Sequence, residues 1–277
     1  MEHSEGTFHG DGGLALYYQR WRPDGPPRSV LALVHGIGEH SGRYMNVVRA
    51  FTGRGHAVYG FDHRGHGRSP GPRGHIDRWE QYRGDVTAFL RVVGAREPDR
   101  LLFLLGHSLG ALIVLDYILH HPEGLRGAII SGAPLEPVGV AKPHLVAVTR
   151  LLSRVWPRFT VPLGLDASAL SRDPDVARAY REDPLVHGIA TVRWGAECLA
   201  RIGWVKSHAA DVRLPILLIH GAADRLNSPD GSRRLFEGMK CADKSLRIFP
   251  GGYHEPHNDL DHAVVLEDVA QWLDRHL

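Results

Sequence analysis

The chain has 277 residues, 43% hydrophobic and 23% charged, with 33 basic against 31 acidic side chains and a formal charge of +2. That length supports one large core, the composition is that of an ordinary globular protein, and so small a charge implies no polyanionic partner such as nucleic acid. Two cysteines, Cys198 and Cys241, are too few for a disulfide framework or a cysteine-rich metal site, and a single bridge between them stays open.

The opening residues 1–6 are polar and acidic, without the basic-then-apolar order of a signal peptide. No apolar run approaches the ~20 residues that span a bilayer. A cytoplasmic location is expected, with peripheral contact at a membrane surface left open. Residues 7–9 and 14–21 flank Gly10-Asp11-Gly12-Gly13 and read as a hairpin. Val30-Leu31-Ala32-Leu33-Val34 has no polar face, so it reads as a buried strand running directly into His35-Gly36-Ile37-Gly38-Glu39-His40. A helix is expected over residues 44–54, ended by Gly55, then a strand over 57–61. The loop 62–71 is dense in Gly, His and Arg, and residues 79–96 read as a helix stopped by Pro98-Asp99.

The next stretch organises the rest. Five apolar residues, 101–105, are followed by Gly106-His107-Ser108-Leu109-Gly110 and then an apolar helical segment to His120. A bare G-x-S-x-G could arise by accident in a chain with 32 glycines. The buried strand before it and the helix after it are what an accident does not supply. This is the pattern of a nucleophile elbow, a tight strand-to-helix turn that lifts a serine hydroxyl above the sheet. Side chains at Gly106 or Gly110 would obstruct that turn. Ser108 is the candidate nucleophile.

A further strand spans 127–131, after which the rhythm breaks: from 136 to about 211 no strong strand appears, only helical patterns. It returns with a strand at 215–220, a helix near 228–239, a strand at 246–249 and a helix over 262–276. Alternation of this kind predicts a mainly parallel sheet with helices on both faces, in one domain covering 1–277. Ligands bind such sheets beyond the carboxyl ends of the strands, and the segment 136–211 reads as a cap inserted over that edge.

Asp224 and His254 each follow a strand, and with Ser108 they give the order Ser, Asp, His of the α/β-hydrolases. A serine hydroxyl is a weak nucleophile, so His254 would take its proton, and Asp224 would orient the imidazole and stabilise its charge. Backbone N–H groups of Leu109 and Ile37 are the candidate oxyanion donors. His254-Glu255-Pro256-His257 is not a zinc motif, because its second His is three residues on and Pro256 interrupts any helix. Neither metal nor cofactor is expected.

In the insertion, Leu145, Val148, Leu152 and Val155 recur at helical spacing, with Val146, Leu151 and Trp156 adding apolar surface beyond one stripe. They either pack on the sheet or line an acyl tunnel and touch lipid.

Three motifs, His35-Gly36-Ile37-Gly38-Glu39-His40-Ser41-Gly42-Arg43-Tyr44, Asp62-His63-Arg64-Gly65-His66-Gly67-Arg68-Ser69 and Gly106-His107-Ser108-Leu109-Gly110, together resemble the monoacylglycerol lipases. Ser171-Arg172-Asp173-Pro174, Asp183-Pro184-Leu185-Val186, Gly221-Ala222-Ala223-Asp224-Arg225 and Tyr253-His254 extend the resemblance over nearly the whole chain. It implies an α/β-hydrolase fold, a triad at Ser108, Asp224 and His254, and oxyanion donors at Ile37 and Leu109. Asn227 stands where some members carry a cysteine, and the stretch 145–162 is the least family-like part. The expected activity is hydrolysis of a monoacylglycerol to fatty acid and glycerol. The alternatives are a lysophospholipase or short-chain esterase with the same triad, a serine aminopeptidase, and a non-catalytic binding protein on the same scaffold.

Overall fold

The computed structural model describes residues 1–139 and 143–277, without the side chains of 143–145. In chain order the strands are β1 Glu2–His9, β2 Ala15–Arg22, β3 Val30–Val34, β4 Ala57–Phe61, β5 Leu102–His107, β6 Gly127–Ser131, β7 Thr160–Pro162, β8 Ile189–Thr191, β9 Ile216–Gly221 and β10 Lys244–Phe249. The helices are α1 Met45–Thr52, α2 Glu80–Arg96, α3 Leu109–His120, α4 Pro143–Val155, α5 Pro174–Glu182, α6 Val192–Ser207, α7 Pro229–Gly238 and α8 His262–Asp274. Eight strands form one sheet in the order β1-β2-β4-β3-β5-β6-β9-β10. β1 pairs with β2 and β2 with β4 antiparallel, and from β4 to β10 every pairing is parallel.

The all-apolar strands are buried on both faces, as their lack of a polar side requires. Side chains of one strand alternate between two cores: Leu104 of β5 packs with α2 and α3, while Phe103 and Leu105 pack with α1 and α8. Register then places the chemistry. Val34 lies opposite Gly106, His107 opposite Ser131, Ser131 opposite Ile219, and Gly221 opposite Phe249. The loops after β3, β5, β9 and β10 therefore leave the sheet side by side at its carboxyl edge.

The expected elements differ mainly at their ends. The polar start is not free chain: β1 begins at Glu2 and forms a full hairpin with β2. β5 runs through Gly106 to His107, so the elbow begins directly at Ser108. The segment between β6 and β9 contains a two-stranded ribbon, β7 with β8, of three residues each, too short to be marked by alternation in sequence. Its helices carry local signals: Asp173 caps α5 with Pro174 in the first turn, and the Thr191 hydroxyl accepts the Trp194 N–H at the start of α6.

This segment is stitched to the sheet's carboxyl-edge loops. His187 N–H donates to Gly38 O at 2.9 Å, Glu255 N–H to Leu170 O at 2.7 Å, and His40 pairs with Asp183 at 2.8 Å. Cys198 and Cys241 are both free. No described helix is long and apolar enough to cross a membrane.

Candidate active site

Ser108 sits between β5 and α3 with φ of 52° and ψ of −118°, a left-handed conformation that costs a non-glycine residue about 1–3 kcal/mol. Its surroundings hold it there. A Cβ on Gly110 would stand 1.9 Å from Val34 O, and one on Gly106 would stand 2.3 Å from Gly110 O, so strand, turn and helix approach too closely for any side chain at either position. The Ser108 N–H is tied to Ser131 O at 2.9 Å. At 8% exposure the residue is buried, yet it lines the main cavity.

Asp224 and His254 come together from the loops after β9 and β10. His254 Nδ1 lies 2.7 Å from Asp224 Oδ2. A carboxylate oxygen only accepts, so Nδ1 carries the ring proton and Nε2 is left as the basic nitrogen. Burial disfavours the charged ring, but the Asp224 carboxylate outweighs it, and the His254 pKa rises above its ordinary value. Burial also disfavours the Asp224 anion, and it too is outweighed: His254, His220 and backbone N–H groups hold Asp224 well below the carboxylate range. Among the described residues Ser108 makes no side-chain hydrogen bond to His254. Both line the same cavity, and such contacts often tighten only with substrate present.

The loop after β3 supplies Ile37. Its N–H and that of Leu109, in the first turn of α3 where helix donors lack partners, have no acceptor among the described residues, and both residues line the cavity. The loop is held from two sides. His35 Nε2 accepts the His63 N–H at 3.0 Å, so its Nδ1 donates to Gly36 O at 2.7 Å, and burial drives the His35 pKa down and keeps it neutral. Glu39 Oε1 accepts the Gly36 N–H at 2.6 Å and the Tyr44 hydroxyl at 2.7 Å.

Glu39 belongs to a buried ion cluster that the sequence reading left without a role. Arg43 Nη1 reaches Glu39 Oε2 at 2.6 Å, and the guanidinium grips Glu255 bidentately at 2.7 and 2.9 Å. The cluster thus joins the loop bearing Ile37 to the residue beside His254. Burial raises the Glu39 pKa. It opposes ionisation of Glu255 as well, but the Arg43 fork wins and holds that carboxyl at about 2. The available signal was two charged residues in a loop that follows a wholly apolar strand.

The cavity has a volume of about 620 Å³, within the range of small-molecule sites. Val148 and Leu152 of α4 line it, together with Val146 and Thr149. Val155 does not. It lies in the last turn of α4 and is 76% exposed, which corrects the expectation that it faces the cavity. The side chain of Leu145 falls outside the described residues. Leu151 and Trp156 are also turned outward, at 64% and 60% exposure, so α4 presents one apolar face inward and another to solvent. Among the described residues no group of His, Cys, Asp and Glu could hold a metal ion.

Residues 25–261 match the family model described as serine aminopeptidase, S33. The chain is 38% identical over 275 residues to the monoacylglycerol lipase of Mycolicibacterium smegmatis, covering 99% of this chain and 98% of that protein. It is 31% identical over 268 residues to the monoglyceride lipase of Homo sapiens, covering 94% of this chain and 87% of that one. Among solved structures, the monoacylglycerol lipase of Paleococcus ferrophilus matches with a TM-score of 0.87 at 36% identity, over 95% of this chain and 99% of that chain.

Proposed function

The chain belongs to the serine aminopeptidase S33 family and, within it, to the monoacylglycerol lipases, carboxylic ester hydrolases of the α/β-hydrolase fold; from that premise we propose that it cleaves monoacylglycerols to fatty acid and glycerol through an acyl-enzyme on Ser108. Ser108 Oγ attacks the ester carbonyl while His254 Nε2 takes its proton. The carbonyl oxygen becomes an oxyanion and accepts the N–H groups of Ile37 and Leu109. Collapse expels glycerol, protonated by His254. Water then attacks the acyl-enzyme by the same proton path, and the fatty acid leaves. Asp224 keeps Nδ1 protonated throughout and stabilises the imidazolium.

One observation carries the choice of substrate: a mainly apolar cavity opens on Ser108, and its buried cation, Arg43, is already engaged. Arg43 is bound by Glu39 and Glu255. Arg225 donates to Ser168 O and lies over the Tyr253 ring. Arg225 is half-exposed, and Arg43 is neutralised, so no buried cation among the described residues is left to offset desolvation of a phosphate head group, whereas the uncharged glycerol hydroxyls need only hydrogen-bond partners. An aminopeptidase reading meets the converse difficulty. The cavity carboxylates Glu39 and Glu255 are occupied by Arg43, and neither is free to bind an α-ammonium group.

The segment 136–211 is read as the cap over the site. Its outward apolar face, Leu151, Val155 and Trp156, with Arg150, Arg154 and Arg158 also exposed, fits transient contact with a lipid surface, where apolar residues bury and Arg meets phosphate. The deciding experiment compares initial hydrolysis of a monoacylglycerol and a lysophospholipid with the same acyl chain, with Ser108→Ala as control. Preference for the monoacylglycerol, abolished by Ser108→Ala, is expected. Preference for the lysophospholipid overturns the substrate, and retained turnover in Ser108→Ala overturns the mechanism.

A further inference from the structure

Asp224 holds a second histidine. His220, the penultimate residue of β9, is fully buried, and its Nε2 lies 3.1 Å from Asp224 Oδ2 and 3.0 Å from the Asn227 carbonyl oxygen. Both partners only accept, so Nε2 carries a proton. Nδ1 lies 2.8 Å from Ser232 Oγ, and in the neutral ring it accepts the serine proton. His254 Nδ1 donates to the same Oδ2 at 2.7 Å, while Oδ1 accepts the N–H groups of Leu226 and Asn227 at 2.8 and 3.0 Å. A carboxylate offers about four lone-pair sites. Four donors fill them.

We propose that His220 is a positioning residue for the hydrolysis: its Nε2–H, held as a donor by its two acceptors and aimed by the Ser232 contact at Nδ1, orients Asp224 and draws charge from the oxygen on which His254 leans, setting how basic His254 is. The inference rests on the Ser108–His254–Asp224 reading. Oδ1 is fixed by backbone, but Oδ2 has only side-chain donors. Without His220 the carboxylate is free to swing with His254, and the positive end of an N–H dipole beside the imidazolium is lost. The first effect lowers the rate; the second raises the His254 pKa, since that dipole opposes a positive ring. The other groups that face His254 are Glu39 and Arg43 from the loop after β3, His107 at the end of β5, and Glu255 and His257 on its own loop. They are the same in every variant, so a shift reports His220.

The test is kcat/KM against pH on a soluble short-chain ester, for His220→Leu and His220→Gln. His220→Leu should lose about tenfold in kcat and move the acid limb upward by about half a unit to one unit. His220→Gln returns an N–H donor to Asp224 and should restore the limb and most of the rate. An unmoved limb in both variants, or equal losses without rescue by Gln, overturns the proposal. If His220→Leu does not fold, Ser232→Ala carries the same test: it removes the anchor at Nδ1 that aims the Nε2–H at Asp224, a smaller upward shift is expected, and an unmoved limb again overturns the role. Fluorophosphonate labelling separates the two readings. Failure to label Ser108 in the unmodified chain sinks the triad itself, whereas labelling with an unmoved limb sinks only the role of His220.

Discussion

Glu39 separates hydrogen bonding from charge in the loop that carries Ile37, and two substitutions read them apart. Its Oε1 holds the Gly36 N–H at 2.6 Å and the Tyr44 hydroxyl at 2.7 Å, while Oε2 meets Arg43 at 2.6 Å. Glu39→Ala strands two buried donors, each costing about 1–3 kcal/mol, and removes the charge-assisted bond to Arg43, about 1.5–3 kcal/mol, so the fold should lose about 3.5–9 kcal/mol. It also releases the backbone beside Ile37. Loss of one oxyanion donor costs ~10²–10³ in kcat, and a fall of that size is expected. Glu39→Gln keeps an oxygen for Gly36 and Tyr44 but turns an amide N–H₂ toward Arg43. The loss is then one charge-assisted bond, about 1.5–3 kcal/mol, with kcat reduced by less than about tenfold. Urea unfolding reports the stability, and initial rates on a soluble short-chain ester report the chemistry without lipid-surface effects. Equal kcat losses in the two variants would refute the reasoning, because the anchor on Gly36 survives only in Gln.

Three further outcomes follow from the same geometry. Asp224→Asn removes the anion that offsets burial of His254, so the acid limb of kcat/KM should move down while kcat falls by ~10⁴; a limb that stays above the ordinary histidine value would contradict the assignment. The sign in stability is opposite for the two partners: His254, raised in the folded state, contributes below its unfolded pKa and loses that contribution as pH rises through its folded value. Asp224, depressed, contributes above its unfolded pKa and loses it on acidification through its folded value, which thermal melts of Asp224→Asn against pH will show. Gly110→Ala drives a methyl to 1.9 Å from Val34 O and should cost about 3 kcal/mol or more, with loss of fluorophosphonate labelling at Ser108; a stable, labelled variant would show that the turn is looser than described. The double change Leu151→Ser with Trp156→Ser should weaken sedimentation with phospholipid vesicles and slow hydrolysis of vesicle-borne monoacylglycerol, leaving the soluble ester untouched; unchanged vesicle binding would remove the cap from the lipid surface.

The parallel sheet was legible because its strands are buried on both faces. Val30–Val34, Ala57–Phe61 and Gly127–Ser131 admit no other placement, and the structure bounds them where the apolar runs begin and end. The elbow was legible for a related reason: Gly106 and Gly110 are demanded by backbone contacts rather than by chemistry, so a strand, two glycines and a helix announce the geometry without any partner being known. Beside the family resemblance, what picks out Asp224 and His254 is that each follows a strand end, which is a statement about topology. Their 2.7 Å contact depends on β9 and β10 being neighbours.

What sequence could not reveal lies where side chains meet across long separations. Glu39, Arg43 and Glu255 are more than 200 residues apart at their extremes, with a separation of 212 between Arg43 and Glu255, and the local signal, two charged residues after an apolar strand, does not name the distant partner: a charged residue in a loop is ordinarily solvated. His220 was read as the last residue of an apolar strand, because no periodicity distinguishes a histidine that packs from one that donates to a carboxylate. The helix α4 failed differently. Its apolar residues exceed one stripe, so the 3.6-residue period cannot say which face turns inward, and Val155 came out exposed while Val146 lines the cavity. The candidate triad is built on strand ends, whose order is fixed by burial, whereas part of the cavity wall comes from α4 and α6, in a segment tied to the sheet's loops by contacts such as His187 to Gly38 and Leu170 to Glu255. On the proposed reading, chemistry and specificity therefore sit on parts of the chain with different constraints, and the segment between β6 and β9 can change its lining residues without disturbing Ser108, Asp224 or His254 so long as those stitches are kept.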